Sequence, residues 1–136
     1  MSLQVLSELS PVLVVCLPAL GERSCRQMLQ DLAKARVSIE FAGTRLALVH
    51  MGSDAEAAAE LARHDLQYTA RISDPKRQLY AFFELGTKRK GLLRRGERQL
   101  PGVFLLSNSK ILKSHRTADP PNLCDLSMLD PACGPG

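Results

Sequence analysis

A chain of 136 residues with a net charge of +4 is long enough for one domain with its own hydrophobic core. Hydrophobic residues make up 45% and charged residues 24%, the balance of an ordinary globular protein, and no stretch reaches the roughly 18–20 unbroken apolar residues of a membrane span. Aromatic residues are only 4% and Trp is absent, which argues against base-stacking platforms for nucleic acid and leaves the core to Leu, Val, Ala and Ile.

The apolar N-terminal stretch has no Lys or Arg before Arg23, and Pro11 and Pro18 bracket its best run. A secretory leader wants a basic start, so the reading is a cytoplasmic protein with free thiols. Cys16, Cys25, Cys124 and Cys133 follow no metal-ligand spacing and pair with no histidine, so neither a metal nor another cofactor is expected.

Taken in chain order, Pro11 to Leu17 is a continuous Val-rich run, the pattern of a strand covered on both faces. Gly21 to Arg23 is a loop. Ser24 with Gln27 forms a capping-box pattern that starts a helix at about Cys25. Cys25, Met28, Leu29, Leu32, Ala35 and Ile39 recur at three- and four-residue steps as its apolar face, and Gly43 ends it. Arg45 to Gly52 reads as a second buried strand, and Ser53 with Glu56 caps a helix over Ala55 to Arg63. A short strand at Tyr68 to Ile72 precedes Asp74, which caps a helix predicted to run from Pro75 to Leu85. Residues 102–116 read as a hairpin turning at Ser107-Asn108-Ser109, and beyond Thr117 only a short helix near Leu123 to Leu129 is expected.

Strands alternating with helices predict a three-layer α/β/α sandwich whose mixed central sheet closes with a C-terminal β-hairpin. The organisation expected is a single domain over residues 1–136, with its core at about 11–126 and flexible ends at 1–8 and 127–136.

In such a sheet, sites gather at the carboxyl ends of strands, where the next helix begins. Cys25 falls there. A thiol in the first turn of a helix meets unpaired backbone N–H groups and the positive end of the macrodipole, both of which favour the thiolate. Arg23 and Arg26 flank it and add to the expected drop in pKa. The competing reading is a small buried side chain on an apolar helical face.

The run "VLVVCLPALGERSCRQMLQDL", the segment "SDPKRQLYAFFELG" and the closing "LPGVFLLSNSKILKSHRTADPPNLCDL" together resemble the peroxiredoxin-like group of the thioredoxin superfamily, the alkyl hydroperoxide reductase and thiol-specific antioxidant proteins. The resemblance covers about Val12 to Leu126 and implies a thioredoxin-like fold. It also implies Cys25 as the catalytic cysteine, a peroxide or disulfide as substrate, and a thioredoxin or glutathione-like thiol as reductant. Cys25 falls on the second cysteine of the family's C-x-x-C loop and Glu22 on the first, so this loop cannot close a dithiol.

Peroxidase chemistry needs one attacking thiolate, which peroxide oxidises to a sulfenic acid that another thiol resolves. Cys124, in the turn-rich tail, and Cys16, at the end of the first strand, are the candidate resolving thiols, with core packing as the competing role for Cys16, and Arg98 and Arg116 are candidate sources of positive charge. Two positions depart from the peroxiredoxin pattern. Glu22 replaces the Thr or Ser that orients peroxide, and Pro101 stands where an arginine is usual. Pro101 instead resembles the cis-proline that faces the active-site cysteine in thioredoxins. Glu22, Arg23, Ser24, Arg26 and Pro101 are thus the expected shapers of the site, with His50 and His115 at strand ends as half-buried strand residues.

The alternative function is a non-catalytic thioredoxin-fold module, lacking the C-x-x-C dithiol, that binds a partner through the Pro101 edge and the basic stretch from Lys88 to Arg98. That stretch sets six cations against Glu97 alone, by default a solvated loop. No membrane partner is expected, nothing aromatic marks it for nucleic acid, and a sheet-edge homodimer is left open.

Overall fold

The computed structural model describes residues 3–85, 87–89 and 97–116. The elements are α1 (Leu3–Leu9), β1 (Val12–Cys16), α2 (Arg23–Phe41), β2 (Arg45–His50), α3 (Asp54–Ala62), β3 (Ala70–Ser73), α4 (Gln78–Phe82), β4 (Thr87–Arg89), β5 (Glu97–Gln99), β6 (Gly102–Ser107) and β7 (Lys110–Arg116). Five strands form one sheet in the order β3-β2-β1-β6-β7, and β4 pairs with β5 in a separate two-stranded ribbon. β1, β2 and β3 are parallel, whereas β6 runs antiparallel to β1 and to β7.

All five residues of β1 are buried, because β1 is the central strand and carries apolar layers on both faces. Alternate residues serve the two layers. Leu13, Val15 and Leu17 pack with Cys25, Met28, Leu29 and Leu32 of α2 and with Leu61 of α3. Val12, Val14 and Cys16 pack with Leu3 and Leu6 of α1, Tyr80 and Phe83 from the α4 region, and Phe104 and Leu106 of β6. The predicted apolar face of α2 is the buried one, residue for residue.

Several local expectations are corrected. Residues 1–8 were expected as a flexible end, but Leu3–Leu9 is a helix. Leu3 and Leu6 are buried, and Ser7 ties the helix to the β6–β7 turn: its carbonyl accepts from Asn108 N at 2.8 Å and its Oγ from Ser109 N at 2.9 Å.

Asp74 does cap α4, accepting from Gln78 N at 2.9 Å and Leu79 N at 2.8 Å, but the helix begins at Gln78 rather than Pro75. Arg77 in the left-handed region, at φ 58°, separates the Pro75 turn from the helix. The arms of the basic stretch pair as β4 and β5 instead of forming an open loop. The predicted helix at 123–129 and the end at 127–136 lie outside the described residues.

Candidate functional site

The carboxyl ends of β1, β2 and β3 place Cys16, His50 and Ser73 along one edge of the sheet, facing the starts of α2 and α3. Leu17 N donates to Val49 O at 2.8 Å, extending the β1–β2 ladder one residue into the loop. The buried Tyr80 locks that loop from the other face. Its Oη lies 2.5 Å from Leu17 O and 3.1 Å from Val49 O, and its single proton goes to the shorter contact, since Val49 O already accepts from Leu17 N. Asp74 N donates to His50 O at 2.7 Å and brings the α4 cap to the same edge. Ser53 caps α3 as predicted, accepting from Glu56 N at 3.1 Å. Arg71 of β3 forks onto Asp54 at 2.7 and 3.2 Å, which holds the Asp54 carboxyl below its usual range.

Cys25 occupies the first turn of α2, above the carboxyl end of β1, where the sequence places it. The expected lowering of its pKa is reversed. Cys25 is 0% exposed, and burial raises its thiol to about 12, with Glu60 and then Glu22 pushing in the same direction. Arg23 and Arg26 are exposed and do not contribute. On a helix, neighbours one or two residues away leave the face that Cys25 occupies, whereas those three or four away share it. The expected Ser24 cap is also absent: α2 starts two residues earlier, at Arg23, with Glu22 as an extended N-cap (φ −71°, ψ 150°) whose side chain makes no capping bond.

The remaining predicted site residues are only partly brought together. Glu22 flanks Cys25, with the Glu22 carbonyl accepting from Arg26 N at 3.1 Å. Pro101 is buried and precedes Gly102, which pairs with Cys16 at the end of β1. No cis peptide bond occurs among the described residues, so the resemblance to a cis-proline is corrected: Pro101 opens β6 as an ordinary trans residue.

Cys16 belongs to the layer on the other side of the sheet from Cys25, so the two thiols face away from one another across β1. Both are free, and burial pushes Cys16 to about 12 as well, with Asp74 adding to the rise. Arg98 and Arg116 are placed by backbone pairing with Lys88 and Gly102, and Arg116 thereby lies at the Cys16 end of the sheet. Cys124 lies outside the described residues. Among the described residues no three His, Cys, Asp or Glu side chains converge as a metal site, and no helix is long and apolar enough to cross a membrane.

Two groups were missed in the sequence. Glu60 is buried on α3 beside Arg63 and His64, at 3.4 and 3.8 Å. Its position in an Ala-rich helix carries no local sign that it bears on Cys25, because the contact is tertiary. Tyr80 could have been found as a tyrosine on the apolar face of a short helix, which must find a partner for its hydroxyl. Burial raises its pKa, with Cys16 the next cause.

His50, read in the sequence as a half-buried strand end, is 1% exposed and neither ring nitrogen makes a hydrogen bond of good geometry among the described residues. Burial lowers its pKa from 6.5, outweighing Asp54. A buried neutral imidazole binds fewer protons than the same histidine in the unfolded chain. Stability should therefore be full above pH 6.5 and fall as the pH drops below it toward the lowered native value. Urea unfolding at a series of pH values should show this loss in the native sequence and a flatter profile in His50→Gln; identical slopes would exclude His50 as the cause.

No family model matches the chain, and no curated protein matches it. Solved structures do. The bacterioferritin comigratory protein of Xanthomonas campestris, whose structure is described in terms of alkyl peroxide reduction, superposes with a TM-score of 0.79 at 13% identity, over 98% of this chain and 84% of its own. The chain has the peroxiredoxin-like thioredoxin fold. Within that fold, peroxidoxin BcpB of Mycobacterium tuberculosis matches at 0.75 and 18% identity over 93% and 82% of the two chains. Peroxiredoxin Q of Xylella fastidiosa matches at 0.74 and 12% over 89% and 74%. In this chain the loop after β1, the start of α2 and the start of β6 meet at one sheet edge, with Cys16 at the end of β1 and the buried Cys25 in the first turn of α2.

Proposed function

We propose that the chain is a peroxiredoxin-like thiol redox protein in which Cys25 is a latent centre, inert while the first turn of α2 is closed and reactive when that turn opens. The observation that supports this reading is the position of Cys25, in the first turn of α2 at the carboxyl end of β1, behind an N-cap whose side chain makes no capping hydrogen bond to the helix. A helix start without a capping side chain frays more readily than a capped one, since a cap contributes about 1 kcal/mol. Opening returns water to the thiol and removes the main cause of its raised pKa.

The chemistry then follows from one sulfur. The Cys25 thiolate attacks the terminal oxygen of a peroxide ROOH. The O–O bond breaks, Cys25 becomes a sulfenic acid, and the proton released leaves with the alcohol ROH. A reductant thiol displaces water from the sulfenic acid to give a mixed disulfide, and a second thiol releases Cys25 and carries the disulfide away. A thioredoxin or a glutathione-like thiol fits the role of reductant, and the site calls on no metal or organic cofactor. The proposed protein is a relative of the alkyl hydroperoxide reductase and thiol-specific antioxidant proteins that works in the cytoplasm.

The closed thiol favours a second reading, a non-catalytic module that binds a partner through the Pro101 edge and the β4–β5 ribbon. Dilute hydrogen peroxide with a sulfenic-acid trap, followed by peptide mass, separates the two. Trapping at Cys25, lost in Cys25→Ser and speeded by Glu60→Gln, supports the redox reading. No trapping in either protein leaves the module.

A further inference from the structure

On the face of the sheet away from Cys25, α1, α4 and the β6–β7 turn bound a groove of about 850 Å3. Leu3, Leu79, Phe82, Phe83, Leu106 and Ile111 give it an apolar lining, and Lys110 is the one charged side chain among the described residues that line it. We propose that this groove binds a monoanionic amphiphile of the fatty-acid type, with its apolar chain along α4 and its carboxylate on the Lys110 ammonium.

Size and composition agree with a small-molecule site: the volume falls within the roughly 300–1,000 Å3 range of such pockets, mostly apolar with few polar groups to orient the ligand. The walls are preformed. Asn108 and Ser109 both have positive φ, at 49° and 65°, the conformation of a tight two-residue hairpin turn. Ser7 of α1 holds both of their backbone N–H groups, so Lys110 projects from a turn fixed to α1. Phe82 is 70% exposed and Ile111 43%, an apolar cost in water that an acyl chain would relieve.

Charge decides among the occupants. A twofold pairing of this face with a second copy would set two Lys110 side chains against apolar linings that hold no acid among the described residues. A ligand here lies across the sheet from Cys25 and is not its substrate, so this site stands or falls apart from the redox reading.

The test titrates the full chain with a fluorescent conjugated fatty acid below its micellar concentration, then displaces it with dodecanoate or neutral dodecanol. Saturable binding is expected. Lys110→Gln should weaken dodecanoate about tenfold and leave dodecanol unchanged, as loss of one charge-assisted contact predicts. Phe82→Glu should abolish both. Because both side chains are exposed, the variants keep the fold. Absence of saturable binding, survival of binding in Phe82→Glu, or dodecanoate affinity unchanged in Lys110→Gln would each overturn the proposal. Sedimentation as a dimer without dodecanoate binding would assign the groove to a second copy instead.

Discussion

At neutral pH, Cys25 in the native protein should alkylate about a thousandfold more slowly than an exposed cysteine. The thiolate is the reacting form, and a rise from 9.0 to about 12 leaves roughly a thousandth of the usual thiolate. Three causes act together. Burial removes water from the charged form, and the carboxylates Glu60 and Glu22 repel the developing charge. The causes separate by mutation: Glu60→Gln removes the larger Coulomb contribution and Glu22→Gln the smaller, so the first should speed alkylation more than the second. Peptide mapping with iodoacetamide measures Cys25 apart from Cys16 and Cys124. A rate equal to that of a free thiol would mean that the closed site does not suppress the thiolate.

Replacing Phe104 by alanine should cost about 3–5 kcal/mol, the range for removing a fully buried aromatic ring. Phe104 is 0% exposed on β6, next to the central strand, and stacks on Phe83 with ring centroids 4.2 Å apart and planes at 17°. Gly102 accommodates it: a Cβ there would come 2.9 Å from the Phe104 ring and 2.6 Å from Leu85 Cδ2. Few atoms stand ready to fill the space, because the ring lies between the Phe83 ring and the sheet. Against a total stability of roughly 5–15 kcal/mol, the loss should move the urea midpoint far down at unchanged slope. Phe104→Leu should recover a large part. A midpoint shift equivalent to less than about 1 kcal/mol would mean that the ring is not a main support of this layer.

The elements written as periodic patterns were legible in the sequence. Val12 to Cys16 reads as a two-face strand because both of its faces are apolar, and α2 reads as a helix because its buried face recurs at three- and four-residue steps. Ser53 and Asp74 declare helix starts through their side-chain acceptors. Helix α1 was missed because its two buried leucines gain meaning only from Ser7 bonding to a turn about a hundred residues later.

The site was legible in place but not in electrostatics. The first-turn position of Cys25 follows from spacing, whereas its pKa depends on Glu60, 35 positions away in the sequence and on another helix. The arginines adjacent in sequence are exposed to solvent and leave the thiol to its carboxylates. Cys16 illustrates the same limit. Its nearness to the loop was readable, but the alternation that turns it to the opposite face from Cys25 matters only once α2 is known to cover the Val15 side of β1.

The measurement that bears most directly on a latent Cys25 is thiol labelling across urea concentrations below the unfolding midpoint, with Cys16 as the internal control. Cys16 is locked in the central strand and should label only through global unfolding, its rate following the full urea slope. If α2 opens locally, Cys25 should label faster than Cys16 at every sub-midpoint concentration, with a much shallower urea dependence that merges with the global one near the midpoint. Coincident curves for the two cysteines would contradict latency and make Cys25 a core residue.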